Sequence, residues 1–394
     1  MTISATSQAK SWHQAKIKNL GRVITGKTPP TKNQEYYGDK YPFITPTDIS
    51  DNSIYAVPER YLSEEGAQKV ASSKLPKNSV CYTCIASVGK IAVTKEESFT
   101  NQQINSIIAD QDKADYRYIF YLLRNMTPQI KGMVGGAASP IINKSAFEDI
   151  DVEVPKVETQ KQIADVLSAY DDLIENNTKR IKILEQIAQA IYREWFVYFR
   201  FPGHKKVKMV DSKSEFGKIP EGWEVKKLGD NINIVRGKNI TKDTVIPGKV
   251  PVVAGGIGPA YFHNKANVEG PAITMSASGA NSGYINLYYE DIWASDCSYI
   301  NKTSTPFIFY YFLLLKSRQA EVTGLQRGSA QPHVYPKDLA RLLVVDPPEE
   351  LVCALEEKVK SIFGMLKNLQ LKNQNLRQAR DLLLPRLVTG EIRV

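Results

Sequence analysis

From Thr159 to Arg200 one stripe runs through the chain: Ile163, Leu167, Tyr170, Ile174, Asn177, Ile181, Leu184, Ala188, Ile191 and Trp195. The steps alternate between four and three residues, which is the heptad seam of a coiled coil with a polar residue, Asn177, set in it. No proline falls between Pro155 and Pro202. At ~1.5 Å per residue the stretch makes a helix roughly 60 Å long, and such a helix needs a partner along its seam.

A second seam follows 192 positions later: Leu355, Val359, Ile362, Leu366, Leu369, Asn373, Leu376, Arg380, Leu383 and Leu387. Antiparallel pairing with full overlap matches residues whose numbers sum to 550, so Ile163 meets Leu387, Trp195 meets Leu355 and Asn177 meets Asn373. A buried Asn pair fixes register at some cost in stability. The plainer alternative is that each helix packs only on its neighbouring domain.

The rest of the chain reads as one plan used twice. Residues 1–14 are a leader, 15–156 a strand-rich domain, and 157–200 the central helix. A basic linker at 201–219 carries Lys205, Lys206, Lys208, Lys213 and Lys218. A second strand-rich domain follows at 220–348, then a C-terminal helix at 349–387 and a tail at 388–394. Leu228-Gly229 and Gly237-Lys238 echo Leu20-Gly21 and Gly26-Lys27. Phe307-Ile308-Phe309-Tyr310 echoes Tyr118-Ile119-Phe120-Tyr121, and Gly328-Ser329-Ala330-Gln331-Pro332 echoes Gly136-Ala137-Ala138-Ser139-Pro140. The expected fold is α+β: two mixed, strand-rich domains, each followed by a long helix, the helices pairing antiparallel in an internal duplication with a pseudo-two-fold axis.

A length of 394 residues has room for two or three domains, and 42% hydrophobic with 24% charged residues suits a soluble protein with real cores. The net charge of +9 favours an anionic partner without proving one. The N-terminal stretch has no apolar core of a signal peptide, and the most apolar run, Pro306 to Leu315, is too short to cross a bilayer. No membrane association and a cytoplasmic location are expected. Cys81 and Cys84 form a lone CxxC, read as two small buried thiols on a strand rather than half a zinc site.

Catalytic constellations are hard to find. Asp346-Pro347-Pro348-Glu349 resembles the Asp-Pro-Pro-aromatic motif of adenine methyltransferases but lacks the aromatic that stacks on a flipped base, and it reads as a strand-to-helix joint. Gly255-Gly256-Ile257-Gly258 lacks the third glycine of a dinucleotide loop. The four histidines have neither triad nor metal spacing. No catalytic residue, metal or cofactor site is assigned to this chain.

Features suited to DNA recur at matching places in both halves. The first half offers Lys27, Thr28, Thr47, Lys90, Asn101, Gln102, Gln103, Asn143 and Lys144. The second offers Arg236, Lys238, Asn239, Ser278, Asn281, Arg327, Gln331, His333 and Lys337. Lys and Arg take phosphates, while Asn, Gln and Arg read base edges. Each residue alone could equally be an ordinary solvated turn.

Several longer stretches carry a family resemblance. They are Glu158 to Asp171, Tyr192-Arg193-Glu194-Trp195-Phe196, Ile219-Pro220-Glu221-Gly222-Trp223, and Ala379-Arg380-Asp381-Leu382-Leu383-Leu384-Pro385-Arg386-Leu387-Val388-Thr389-Gly390-Glu391-Ile392. Over nearly its full length the chain resembles the specificity subunit of type I restriction–modification enzymes. The resemblance implies two target-recognition domains, each reading one half of a bipartite, asymmetric double-stranded DNA site. The two helices would set the gap and dock two modification (methyltransferase) subunits. Restriction/translocase subunits would join for cleavage, and S-adenosylmethionine, ATP and Mg would sit on those partners. Competing expectations are a structural tether that holds protein, and a stand-alone adenine methyltransferase built on Asp346-Pro347-Pro348.

Overall fold

The computed structural model describes residues 12–50, 53–133, 140–328 and 332–394. They divide into two compact units, Met1–Lys179 with Leu371–Val394, and Arg180–Gln370.

In the first unit a four-stranded antiparallel sheet runs in the order Gly21–Thr25, Ile104–Ala109, Val80–Thr83, Ile91–Val93. A second sheet orders Tyr37–Gly38, Arg60–Leu62, Tyr41–Ile44 and Phe99–Thr100, its last pair parallel. Trp12–Lys16 pairs antiparallel with Asp151–Pro155. The strand Val80–Thr83 is buried along its whole length, which is why its sequence does not alternate apolar with polar. Cys81 and Cys84 lie within this buried region, and burial pushes each thiol up to about 11. The core gathers Val80, Tyr82 and Ile107 from the sheet with Tyr118, Ile119 and Leu122 from helix Tyr116–Met133.

The second unit repeats this topology. Its four-stranded sheet orders Val235–Arg236, Cys297–Asn301, Ala272–Ser276 and Ile285–Tyr288. A three-stranded sheet again ends in a parallel pair, Pro247–Val253 with Trp293–Ala294. Glu224–Lys227 pairs with Leu343–Asp346, as Trp12–Lys16 pairs with Asp151–Pro155. Helix Ile308–Ser317 takes the place of Tyr116–Met133.

One echo is displaced. Ile17 N–H donates to Ile150 O (3.1 Å) and Leu228 N–H to Leu342 O (2.8 Å), so Leu228 corresponds to Ile17 and not to Leu20. Gly26 and Gly237 share the same offset, so that pair corresponds as read. The stretch expected only as a basic linker also contains a hairpin, Met209–Asp211 with Lys218–Pro220.

The long helices span Val157–Tyr192, closing in a π turn at Arg193–Val197, and Glu349–Val388. The first has neither glycine nor proline. Glu158 in its first turn, and Glu349 and Glu350 in that of the second, suit the positive ends of the helix dipoles. In the first unit Ile163, Ala164 and Leu167 share a buried cluster with Leu384, Leu387 and Val388. Asn177 Nδ2 donates to Asn373 Oδ1 at 2.9 Å. In the second unit Ala188, Tyr192 and Phe196 share a cluster with Leu355, Val359, Ile362 and Leu366. Full burial of an aliphatic side chain of this size stabilises by ~1.5–3 kcal/mol. The buried stripe leaves the strict heptad in the last turns, where Tyr192 and Phe196 are more buried than Ile191 and Trp195. Phe196 lies 5.9 Å from Trp223, and Phe201 stacks on the same indole at 5.2 Å. Among the described residues no helix is long and apolar enough to cross a membrane.

Candidate nucleic-acid interface

The same end of the four-stranded sheet is built in each unit by the same backbone device. Gly26 N–H donates to Ile104 O (3.0 Å) and Gly237 N–H to Cys297 O (2.8 Å). A Cβ on Gly26 would lie 2.2 Å from Asn101 O, and one on Gly237 2.3 Å from Ser295 O. Only glycine permits that approach. The next residue in each case, Lys27 or Lys238, is exposed.

In the first unit this end is a set of amides and hydroxyls with lysines beside them. Thr28 Oγ1 donates to Gln102 Oε1 (2.6 Å). Asn101 Oδ1 accepts from Gln103 N–H (3.1 Å), and its amide donates to Gln103 Oε1 (2.9 Å). Lys27 Nζ donates to Ser72 Oγ (2.9 Å). Lys90 Nζ donates to Pro46 O (2.8 Å), next to Thr47, whose hydroxyl lies 2.8 Å from that of Thr45. Asn143 Oδ1 caps helix Lys144–Glu148 by accepting from Ala146 N–H (2.8 Å). The cap uses the amide oxygen and does not use the NH2 donors. Lys144 pairs with Glu148 at 3.5 Å. A bridge between Ile85 and Ile141 ties this segment to the loop after strand Val80–Thr83.

The second unit carries charge and aromatic rings at the corresponding end. Arg236 Nη2 donates to Asp296 Oδ1 at 2.5 Å, and Ser278 Oγ donates to Asp296 Oδ2. A bridge joins Ser278 to His333, as Ile85 is joined to Ile141. Arg327 and His333 exchange backbone hydrogen bonds of 2.9 Å in both directions. The His333 ring lies nearly parallel to Tyr335 (5.8 Å, 13°), and Lys337 Nζ is 5.7 Å from the Tyr335 centroid. Arg327 Nη2 approaches Asp338 Oδ1 to 2.7 Å, a charge contact, since the buried Asp338 oxygens accept no aligned hydrogen bond. Lys238 O accepts from Trp293 Nε1 (2.9 Å), and Asn239 beside it is exposed. Asn281 is exposed in the turn where its carbonyl accepts from Tyr284 N–H (3.0 Å). Gln331 lies outside the described residues, as do Ser329 and Ser139.

Hydrogen bonds therefore pair Thr28 with Gln102 and Asn101 with Gln103 in one unit, and bonds, bridges and ring contacts link Arg236, Ser278, Arg327, His333 and Lys337 in the other. The first set offers amides, the side-chain type that reads base edges, with Lys27 next to Thr28, and the second offers guanidiniums and a lysine, types that take phosphates and guanine. Sequence reasoning missed Asp296 and Tyr335, the groups that hold Arg236 and His333. Asp346 lies at the strand-to-helix joint, where its carboxylate accepts from Lys226 Nζ (2.7 Å) and Asn231 Nδ2 (2.9 Å).

A buried ionic group beneath the first unit was also missed. Arg380 pairs with Asp171, and the Tyr121 hydroxyl donates to Asp171 Oδ2 at 2.6 Å. Burial opposes the charge on Arg380, but Asp171 and Asp381 outweigh it and raise its pKa. Burial, then Asp171, drives the Tyr121 hydroxyl well above the usual phenol range. An Arg at a seam position was the signal that a buried acid had to be near.

Residues 9–186 and 220–376 match the model of the type I restriction modification DNA specificity domain. The MjaIX specificity subunit of Methanocaldococcus jannaschii is 28% identical over 98% of this chain and 94% of its own length. The HindI specificity subunit of Haemophilus influenzae is 33% identical over 45% of this chain and 39% of its own. In fold the chain is similar to the crystal structure of a type I restriction–modification S subunit from M. genitalium, with a TM-score of 0.58, 16% identity and 98% of each chain covered.

Proposed function

The chain belongs to the type I restriction–modification DNA specificity family, and from that premise we propose that it is the non-catalytic subunit that gives such a complex its target sequence. Each unit reads one half of a bipartite, asymmetric site in double-stranded DNA. The long helices, of 36 and 40 residues, set the gap and dock two modification subunits. Restriction/translocase subunits join that assembly, and S-adenosylmethionine, ATP and Mg belong to the partner chains. One observation carries the reading. The same glycine-fixed sheet end occurs twice and is lined by different side chains, Thr28 and Gln102 in one unit and Arg236 and Asp296 in the other. Two readers of one kind of ligand with different preferences need that arrangement.

The test is to co-express the chain with a modification subunit and map methylated adenines by long-read sequencing. A bipartite motif with a constant unspecified gap is the expected result. Methylation without a motif counts against sequence reading, and a complex that gives no site-specific footprint favours a tether.

A further inference from the structure

We infer that Asp296 is a positioning residue for Arg236, and that the pair selects a guanine in the half-site read by the second unit. This rests on the two-reader function proposed above and adds which base one slot takes. Between the carbonyl beneath the glycine and the strand residue that the glycine N–H bonds, the first unit has Gln102 and Gln103 (Asn101 to Ile104) and the second has Asp296 alone (Ser295 to Cys297), so Asp296 stands where the first unit has an amide pair. In the first unit the slot is neutral, with Gln102 accepting from Thr28. In the second it holds a carboxylate, on a face otherwise supplied with Arg236, Arg327, His333 and Lys337.

A lone carboxylate there would repel phosphates. Asp296 is not alone: one oxygen accepts from Arg236 and the other from Ser278. Both oxygens are engaged, so holding a cation suits this carboxylate better than accepting from a base amino group. The Arg236 backbone is fixed as well, on strand Val235–Arg236 paired with Tyr299 and Ser298. Of the five donors on the guanidinium, the bond to Asp296 uses one. A planar fork held in one rotamer before binding matches the O6 and N7 acceptors of guanine, and the ordering penalty on binding falls. A surface ion pair that served stability alone would contribute little.

The experiment compares methylation motifs made by the full complex carrying wild type, Arg236→Gln, Asp296→Asn or Asp296→Glu. Wild type is expected to show a guanine at one position of one half-site. Arg236→Gln should replace that guanine preference while the other half-site and the gap stay as they were. Asp296→Asn should relax the same position, with discrimination falling roughly 10- to 100-fold. Asp296→Glu, which keeps the charge, should restore part of it. An unchanged motif in Arg236→Gln overturns the assignment. A motif altered by Arg236→Gln but untouched by Asp296→Asn overturns the positioning role. Changes in both half-sites, or loss of all methylation in both the Gln and Asn variants, show a structural pair and overturn it too. A wild type with no bipartite motif refutes the two-reader function itself, which separates the two failures.

Discussion

In the first unit Gln160, fully buried, ties the segment before helix Tyr116–Met133 to the first long helix. Its Nε2 donates to Lys113 O (3.1 Å) and Pro155 O (2.9 Å), and its Oε1 accepts from Asp115 N–H (3.1 Å). In the second unit Glu356 does the corresponding work. Its carboxylate accepts from Phe309 N–H (3.1 Å) and Tyr310 N–H (2.8 Å) at the start of helix Ile308–Ser317. The first anchor meets donors and acceptors together, and an amide offers both where a carboxylate only accepts. The second meets donors alone at a helix N-terminus, where an anion is favoured. Along the helix seams the chemistry is reversed. The first unit buries the Asn177–Asn373 bond and the Arg380–Asp171 pair, and the second packs Ala188, Tyr192 and Phe196 against Leu355, Val359 and Ile362, with Phe363 stacked on Phe309 at 4.2 Å. Buried polar pairs specify register, and apolar seams supply adhesion. The duplication thus keeps its backbone and lets each unit use the polar group that its local donors and acceptors require.

The strongest way to break this contrast is Asp171→Ala. Arg380 would be left charged and buried with only the half-exposed Asp381 as counter-charge, and the Tyr121 hydroxyl would be stranded beside it. We expect a loss of ~3–5 kcal/mol in urea unfolding. Replacing both Asp171 and Arg380 by Leu should recover most of it, because an apolar pair of similar volume carries no desolvation penalty. A single variant within about 1 kcal/mol of wild type would mean that the pair is solvated like a surface bridge.

Gln160→Ala probes the neutral anchor and should be milder. It leaves Asp115 N–H and two carbonyls without this partner, and each buried group left unpaired costs about 1–3 kcal/mol, less where water enters. Faster exchange of the Asp115 amide is the local readout. Gln160→Glu should be no rescue, since a carboxylate cannot donate to Lys113 O or Pro155 O.

Seam, duplication and Asn pair were legible because heptad spacing and repeated letters are local signals. Asp171 was not, since it stands one place off the seam position Tyr170, and Tyr121 comes from a helix that closes on it through tertiary packing. The two anchors escaped notice for a related reason. The residue 192 places after Gln160 is Val352, and the work passed to Glu356 one turn on. The Leu-Gly echo misled by three residues because a two-letter match carries less information than a hydrogen-bond register. At the candidate interface the residue types were readable, but the bonds that group Thr28 with Gln102, or Arg236 with Asp296, join side chains far apart in sequence.

The smallest expected effect separates the two anchors by pH. Burial raises the pKa of Glu356 above its ordinary value of 4.5, although the Tyr310 and Phe309 N–H groups pull it down. A raised pKa in the folded state means that the folded protein binds this proton more tightly than the unfolded chain. The stability contributed by that proton is fully present below the ordinary value and is lost as pH rises through the raised one. Wild type should therefore gain on Glu356→Gln as pH falls from about 8 to about 4, a difference read from paired thermal melts. Gln160→Ala removes a group that does not titrate, so its own deficit should stay level over the same range. A level difference for Glu356→Gln would place its carboxylate in contact with water and erase the distinction between a neutral and a charged anchor.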